Sequence, residues 1–250
     1  MRGRLEEKRA LITGAGAGIG RAAAIKFAEV GSRVGLIDVD EEAVQETVAL
    51  VGDAALALPA DVRDEAAIAD AVDRAVAAWG GLDVVVANAA IQLAGQDDRV
   101  DRLDLAVWQQ TLDVNLTGIF LTCKHGIRAL LSSGGGTVVC TCSPTGLFGC
   151  APGYDAYSAS KGGVAGLVRV LAADYAGDGI RINGVVPGYT DTPLTSWVTH
   201  EEHEALLKTI PLGRVGRPGE VAAVMAFLAS DEASYATGAI WAADGGMTAI

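Results

Sequence analysis

Cationic side chains are scarce in this 250-residue chain: 19 Lys and Arg stand against 31 Asp and Glu, a formal net charge of -12. A field of that sign repels phosphate backbones and anionic lipid, so nucleic acid and membrane surfaces are excluded as natural partners. No basic cluster offsets it. Cysteine is equally sparse. The four, at 123, 140, 142 and 150, lack C-x-x-C spacing and histidines at metal-ligand spacing. They read as reduced thiols of a cytoplasmic protein, with no disulfide framework and no metal. Long apolar runs are missing too. The longest uncharged stretch, 129–154, is rich in Gly, Ser and Pro, and holds a strand and a loop. It cannot be a spanning helix. The opening MRGRLEEKRALITG mixes acids with bases and has no apolar segment of a secretory signal.

What is present is a 50% hydrophobic composition, ample for a large core, in a length that suits one α/β domain. No linker, composition shift or repeat divides it. Strands are expected at 9–13, 34–37, 54–60, 82–87, 137–142, 182–186 and near 239–242, with helices between them, including one long helix over 104–131. Strands alternating with helical segments specify a parallel sheet covered on both faces, a doubly wound Rossmann-type arrangement of about seven strands. The C-terminal ends of such strands line the ligand crevice, which gathers Asp61, Asn88, Ser143 and Pro187-Gly188 on one edge.

Two stretches carry chemistry. The first is Thr13-Gly14-Ala15-Gly16-Ala17-Gly18-Ile19-Gly20, which follows a strand and opens a helix. Glycines there let the backbone approach a pyrophosphate, whose charge meets the helix N-terminus. Alone, such a motif can be no more than a tight turn. Asp38 ends the second strand about 20 residues on, where a carboxylate accepts hydrogen bonds from ribose hydroxyls and repels a 2′-phosphate. Val39 supplies no compensating cation, which favours NAD over NADP. The bland alternative makes Asp38 a strand-end turn residue.

The second stretch runs from Ser143 to Lys161. Tyr157 and Lys161, four apart at the head of a helix, share a face. An ammonium about 4 Å from a phenol at an effective dielectric of about 20 favours the phenolate by about 4 kcal/mol, or about 3 pKa units. Even half of that brings the phenol into the range where a general acid or base works. Ser143 can donate to a carbonyl or alkoxide oxygen. Taken alone, Y-x-x-x-K is mostly chance, and a helix-start Tyr with a Lys one turn later is an ordinary surface pair. Asn115, inside the expected long helix, could bend it or hold a water through its side chain; the default is a partly buried amide satisfied by backbone.

Together, TGAGAGIG at 13–20, Asp38, Asp61-Val62, Asn88-Ala89, Asn115, Ser143, Tyr157-x-x-x-Lys161, Pro187-Gly188 with Thr192, and Asp244-Gly245-Gly246 resemble the short-chain dehydrogenase/reductase family over essentially the whole chain. The resemblance implies that Tyr157 exchanges a proton with the substrate oxygen, that Ser143 orients that oxygen, that Lys161 binds the nicotinamide ribose and lowers the phenol pKa, and that Asn115 holds a water in the proton relay. Gly14, Ala17, Gly18, Ile19 and Gly20 would hold the pyrophosphate, Asp38 and Val39 the adenosine ribose, and Asp61 and Val62 the adenine. Asn88, Ala89 and Ala90 would lie along the cofactor, with Pro187, Gly188, Thr190 and Thr192 around the carboxamide. Two departures stand out: Ala90 replaces the usual glycine, and Pro144 follows Ser143, which lies one position further from Tyr157 than in many members.

The segment 189–210 falls where the family has its substrate lid. Gln92, Leu93, Pro144, Thr145, Cys150, Tyr154, Tyr189, Leu194, Trp197 and Val198 are candidate pocket walls, mostly uncharged, which suits a cyclic or aromatic secondary alcohol. Two functions compete with a secondary-alcohol dehydrogenase, namely a 3-oxoacyl thioester reductase and an NAD-binding regulator without turnover. His200 and His203 lack a third metal ligand, while Thr199 with Glu202 makes a capping box, so a helix start is expected there. The acidic run 96–101 reads as a solvated loop, Cys140 and Cys142 as packing. The small, apolar face of 162–173 and the resemblance point to a homodimer or homotetramer.

Overall fold

A computed structural model describes residues 4–249. Seven strands form one parallel sheet: β1 (Arg9–Thr13), β2 (Arg33–Ile37), β3 (Ala55–Ala57), β4 (Val84–Ala87), β5 (Gly136–Thr141), β6 (Ile180–Pro187) and β7 (Ile240–Ala243), in the order β3-β2-β1-β4-β5-β6-β7. The helices are α1 (Gly18–Glu29), α2 (Glu41–Val51), α3 (Glu65–Trp79), α4 (Leu105–Leu112), α5 (Gly118–Ser132), α6 (Asp155–Tyr175), α7 (His200–Leu207) and α8 (Pro218–Ala229). Strand order reverses between β1 and β4, and the C-terminal ends of the strands around that switch point form the crevice.

The strands are apolar on both faces because both are covered. On one side Ile68 and Val72 of α3, Ile119 and Ile127 of α5, and Val164 and Val168 of α6 pack against Leu11, Val85, Val138 and Ile182. On the other, Ala23 and Phe27 of α1, Val44 of α2, and Val221 and Met225 of α8 pack against Ile12, Val34, Val86 and Val185. Burial of that apolar surface is what holds the layers together. Helix starts follow their cap residues, with Asp40, Asp64 and Asp104 accepting backbone N–H groups at the heads of α2, α3 and α4.

Most strand bounds fall within two residues of expectation; two elements differ by more. The strand expected over 54–60 is assigned only over Ala55–Ala57; Leu58 N–H to Leu36 O and Ala60 N–H to Asp38 O continue the pairing with the chain of β2, and Pro59 is tolerated because it falls on the outer side of this edge strand. The long helix expected over 104–131 is divided by a π-helical turn, Asp113–Thr117, which inserts an extra residue into the ladder and leaves α4 and α5 as separate pieces. Asn115 occupies that turn and is fully buried.

Candidate active site

The Gly-rich turn after β1 is shaped by close backbone approach. Gly14 adopts φ +68°, and a Cβ on it would stand 2.9 Å from the Ala89 Cα; a Cβ on Gly20 would strike the Gly14 carbonyl. Gly18 is also left-handed, φ +52°, beside Thr192. The Ala17 N-cap offers no side-chain acceptor and the first turn of α1 carries no acid, so its N–H groups face the crevice as an anion site. Asp38 stands at the rim with Oδ2 accepting from Gly16 N–H (2.9 Å) and Oδ1 from Asp40 N–H (3.2 Å). This cradle fits a dinucleotide: the backbone stands where a pyrophosphate must come close, with a fixed carboxylate one strand over.

Asn88 braces the floor. Its backbone N–H donates to Thr13 Oγ1, its side-chain Nδ2 donates to Thr13 O, and its Oδ1 accepts from Thr141 Oγ1, joining the ends of β1, β4 and β5. A cavity of about 420 Å³ opens above it. Gly14, Ala17, Gly18, Ile19, Asp38, Asn88 and Ala90 line one end; Ser143, Tyr157, Lys161, Pro187, Gly188, Thr190 and Thr192 line its middle. Gly20, Val39, Asp61, Val62, Ala89, Leu93 and Asn115 stand outside its wall. Val39 is 70% exposed. The Asp61 carboxylate is held bidentately by the Arg63 guanidinium, which keeps it below the usual carboxylate range, and Val62 packs against Gly118.

Ser143 follows β5 and caps the short turn Pro144–Gly146, its Oγ 3.1 Å from Thr145 Oγ1. Gly146 lies flush on the α6 backbone at Lys161, where a Cβ has no room. Tyr157 and Lys161 share the α6 face as the spacing required, with Lys161 Nζ 5.9 Å from the phenol ring centroid. Nζ donates to Thr141 O at 2.9 Å. Burial pushes the phenol up to about 12, with the Ser143 hydroxyl pulling the other way, and burial pushes the ammonium down to about 8. Burial, and not the Tyr–Lys Coulomb pairing expected from the spacing, sets the direction of both shifts.

The Asn115 side chain is spent on protein. Oδ1 accepts from Ile91 N–H (2.8 Å), while Nδ2 donates to Ile91 O (2.9 Å) and Ser160 Oγ (3.2 Å). The amide clamps the loop after β4 to α6, the backbone-satisfied alternative of the sequence reading.

The expected pocket residues Gln92, Pro144, Thr145, Cys150, Tyr154, Tyr189, Leu194, Trp197 and Val198 line the same cavity. The Tyr154 and Trp197 rings meet at 5.6 Å between centroids. Ala151, Leu206 and Met247 also line the cavity, as do Thr141, Cys142, Pro193 and Thr195; none is a sequence candidate, and none carries a local motif that marks it. The Thr199–Glu202 capping box starts α7 as expected, and Tyr189 Oη lies 3.2 Å from His203 Nδ1, tying α7 to the segment after β6. Asp38 and Lys161 are the only charged side chains lining the cavity among the described residues.

The acidic loop departs most from expectation. Asp98 and Asp101 are solvated, but Asp97 is 8% exposed, and its carboxylate accepts from Ala156 N–H (3.1 Å) and Tyr157 N–H (2.9 Å).

Comparison with known proteins agrees with this geometry. Residues 14–248 match a family model described as enoyl-(acyl carrier protein) reductase. The chain is 44% identical over 246 residues to cis-4-hydroxycyclohexanecarboxylate dehydrogenase of Sinomonas cyclohexanicum, covering 98% of each, and 40% identical to cyclohexanol dehydrogenase of an Acinetobacter strain, covering 99% and 98%. A Brucella melitensis 3-ketoacyl-(acyl-carrier-protein) reductase crystallised with NADH superposes with a TM-score of 0.90 at 32% identity, over 98% of this chain and 99% of that one. The chain belongs to the short-chain dehydrogenase/reductase family. It is an oxidoreductase of secondary alcohols and ketones that works with a nicotinamide cofactor.

Proposed function

We propose that the chain interconverts a neutral cyclic secondary alcohol and its ketone, with NAD(H) preferred over NADP(H). The observation that carries this is the cavity itself, in which Tyr157 and Ser143 face a largely apolar wall that offers no cation to a substrate carboxylate beyond Lys161. The two cyclohexanol-type relatives support a ring substrate. Asp38, held by two backbone N–H groups at the crevice rim, supports NAD.

When bound, the nicotinamide accepts the hydride of the alcohol carbon or returns it to the ketone. Gly14, Gly18, Ile19 and Gly20 would hold its pyrophosphate, Asp38 its ribose, and Pro187, Gly188, Thr190 and Thr192 its carboxamide end. During oxidation Tyr157, as phenolate, takes the proton from the substrate hydroxyl; during reduction its phenol returns that proton to the alkoxide. Ser143 Oγ donates to the same oxygen and fixes its direction. Lys161, charged below about pH 8, favours the phenolate once Tyr157 must ionise. Asn115 supports the relay by clamping the loop after β4. Assembly as a homodimer or homotetramer belongs to this reading, and the half-exposed Val170 on α6 supports it.

The test is NADH formation by the purified protein with cyclohexanol, other cyclic, aromatic and steroid alcohols, and cis-4-hydroxycyclohexanecarboxylate, with NADP in parallel. Turnover of neutral rings with NAD well above the carboxylate is expected. Preference for 3-oxoacyl thioesters with NADPH would replace the proposal by the acyl-reductase reading, which a 38% identical 3-oxoacyl-(acyl-carrier-protein) reductase of Thermotoga maritima supports. Tyr157→Phe should bind NADH normally and turn over at least about a hundredfold more slowly, the usual size of a lost general acid–base contribution. Turnover at the parent rate would remove Tyr157 from its role, and NADH binding without turnover in the parent would leave a regulator.

A further inference from the structure

Tyr157 is gripped by its backbone from outside the regular ladder of α6. Its N–H donates to the Asp97 carboxylate at 2.9 Å, and its C=O accepts from Ser160 Oγ at 2.7 Å. Ser160 Oγ in turn accepts from Asn115 Nδ2. Asp97 and Asn115 reach the helix from opposite ends of one stretch of chain: Asn115 holds Ile91, and Asp97 sits six residues further on, its own N–H anchored on Leu93 O. The helix has no side-chain cap of its own at Tyr154. The acceptor that satisfies its first turn is thus supplied by a distant loop, and a second bond, Val100 N–H to Asp155 Oδ2 at 2.8 Å, closes the same contact from the other side.

A buried carboxylate is costly unless bonded, and the N-terminus of a 21-residue helix is where it is best compensated. Its location is specific. The two N–H groups it takes belong to Tyr157 and the residue before it, not to a structural position elsewhere on the helix.

We propose that Asp97 is a positioning residue, fixing the height and direction of the Tyr157 phenol above the cavity. The inference rests on Tyr157 being the proton-transfer residue. Losing the clamp should let the first turn of α6 relax, and a misplacement on the ångström scale is enough to cost about a hundredfold in rate. Gly14, Gly18 and Asp38 lie on other elements and should keep their grip on the cofactor.

The test compares Asp97→Ala, Asp97→Asn and Tyr157→Phe in the full-length enzyme, with kcat expressed per NADH-binding site counted by fluorescence titration. For Asp97→Ala the expected result is a kcat per site lowered by about tenfold or more, an NADH Kd within about threefold of the parent, and KM for the alcohol changed less than kcat. Asp97→Asn, which keeps one acceptor oxygen and the shape, should recover most of the rate. A merely structural Asp97 would lower the number of NADH-binding sites and leave kcat per site at the parent value; that result overturns the proposal. If Asp97→Ala fails to fold, Asp97→Ser takes its place, since its one short hydroxyl cannot reach both N–H groups: a lowered kcat per site at an unchanged NADH Kd supports the proposal, and the parent kcat per site overturns it. Should Tyr157→Phe retain the parent rate, the proton-transfer reading fails first, and with it the basis of the inference.

Discussion

Lys161 is an ammonium with almost no water around it, and that cost can be read out by pH. The side chain is 1% exposed and burial takes its pKa from 10.5 to about 8. A difference of 2.5 between those values corresponds to about 3 kcal/mol of stability. Below pH 8 the lysine is charged in both folded and unfolded chains, so the full cost is present. Between about 8 and 10.5 the unfolded chain holds a proton that the folded chain has released, and folded stability rises with pH. Above 10.5 the cost is gone. Lys161→Met keeps the length and removes the charge, while giving up the bond to Thr141 O, worth about 1 kcal/mol. The cofactor-free variant should therefore be more stable than the parent by about 2 kcal/mol at pH 7, or about 4–8 °C in melting temperature for a chain of this size. The gap should narrow above about pH 8 and, once the cost falls below the about 1 kcal/mol of the lost bond, reverse as pH approaches 10.5. Thermal unfolding of both proteins at a series of pH values from 7 to 10 gives the difference directly, since every other titrating group is common to the pair. A gap that does not change with pH, or a variant less stable at pH 7, would refute the burial of a charged lysine. Turnover should be lost in the same variant.

Asp38→Ala should weaken NAD binding and narrow the NAD to NADP ratio, by about tenfold for a lost charge-assisted pair of hydrogen bonds; a cofactor titration checks it, and equal affinities in the parent would remove Asp38 from its role. Trp197→Ala should leave NADH affinity unchanged while raising KM for small ring alcohols and admitting bulkier ones, because it removes the ring that stacks on Tyr154 at one wall of the cavity; steady-state kinetics on cyclohexanol against a steroid alcohol would show an unchanged preference if the wall lies elsewhere.

Much of this was legible in the sequence because the features are local. A glycine turn between a strand and a helix, a Tyr and a Lys one turn apart, and an acid at a strand end each follow from spacing along a few residues, and Thr199 with Glu202 announces α7 in the same way. What was hidden depends on contacts from far along the chain. Asp97 sits among Asp98, Arg99 and Asp101, and a run of charges reads as solvated whichever member is buried. For Asn115 a backbone-satisfied amide is the default expectation, but which backbone satisfies it, that of Ile91, depends on the loop after β4 being seated against the π-helical turn. The phenol and ammonium were read as a Coulomb pair, since charge is visible in a sequence and depth of burial is not.

The helix α7 buries none of its residues. Through Leu206 it closes the substrate cavity, yet little apolar surface would be uncovered if it shifted, and its tether is the Tyr189–His203 contact together with its own cap. On the proposed reading, the part of the cavity wall that α7 supplies is held by little buried surface, unlike Cys142 and Pro144 on its opposite side, and can be rewritten at small thermodynamic expense. New specificities can arise there by substitution alone, with the sheet, the dinucleotide cradle and the proton-handling helix left as they are.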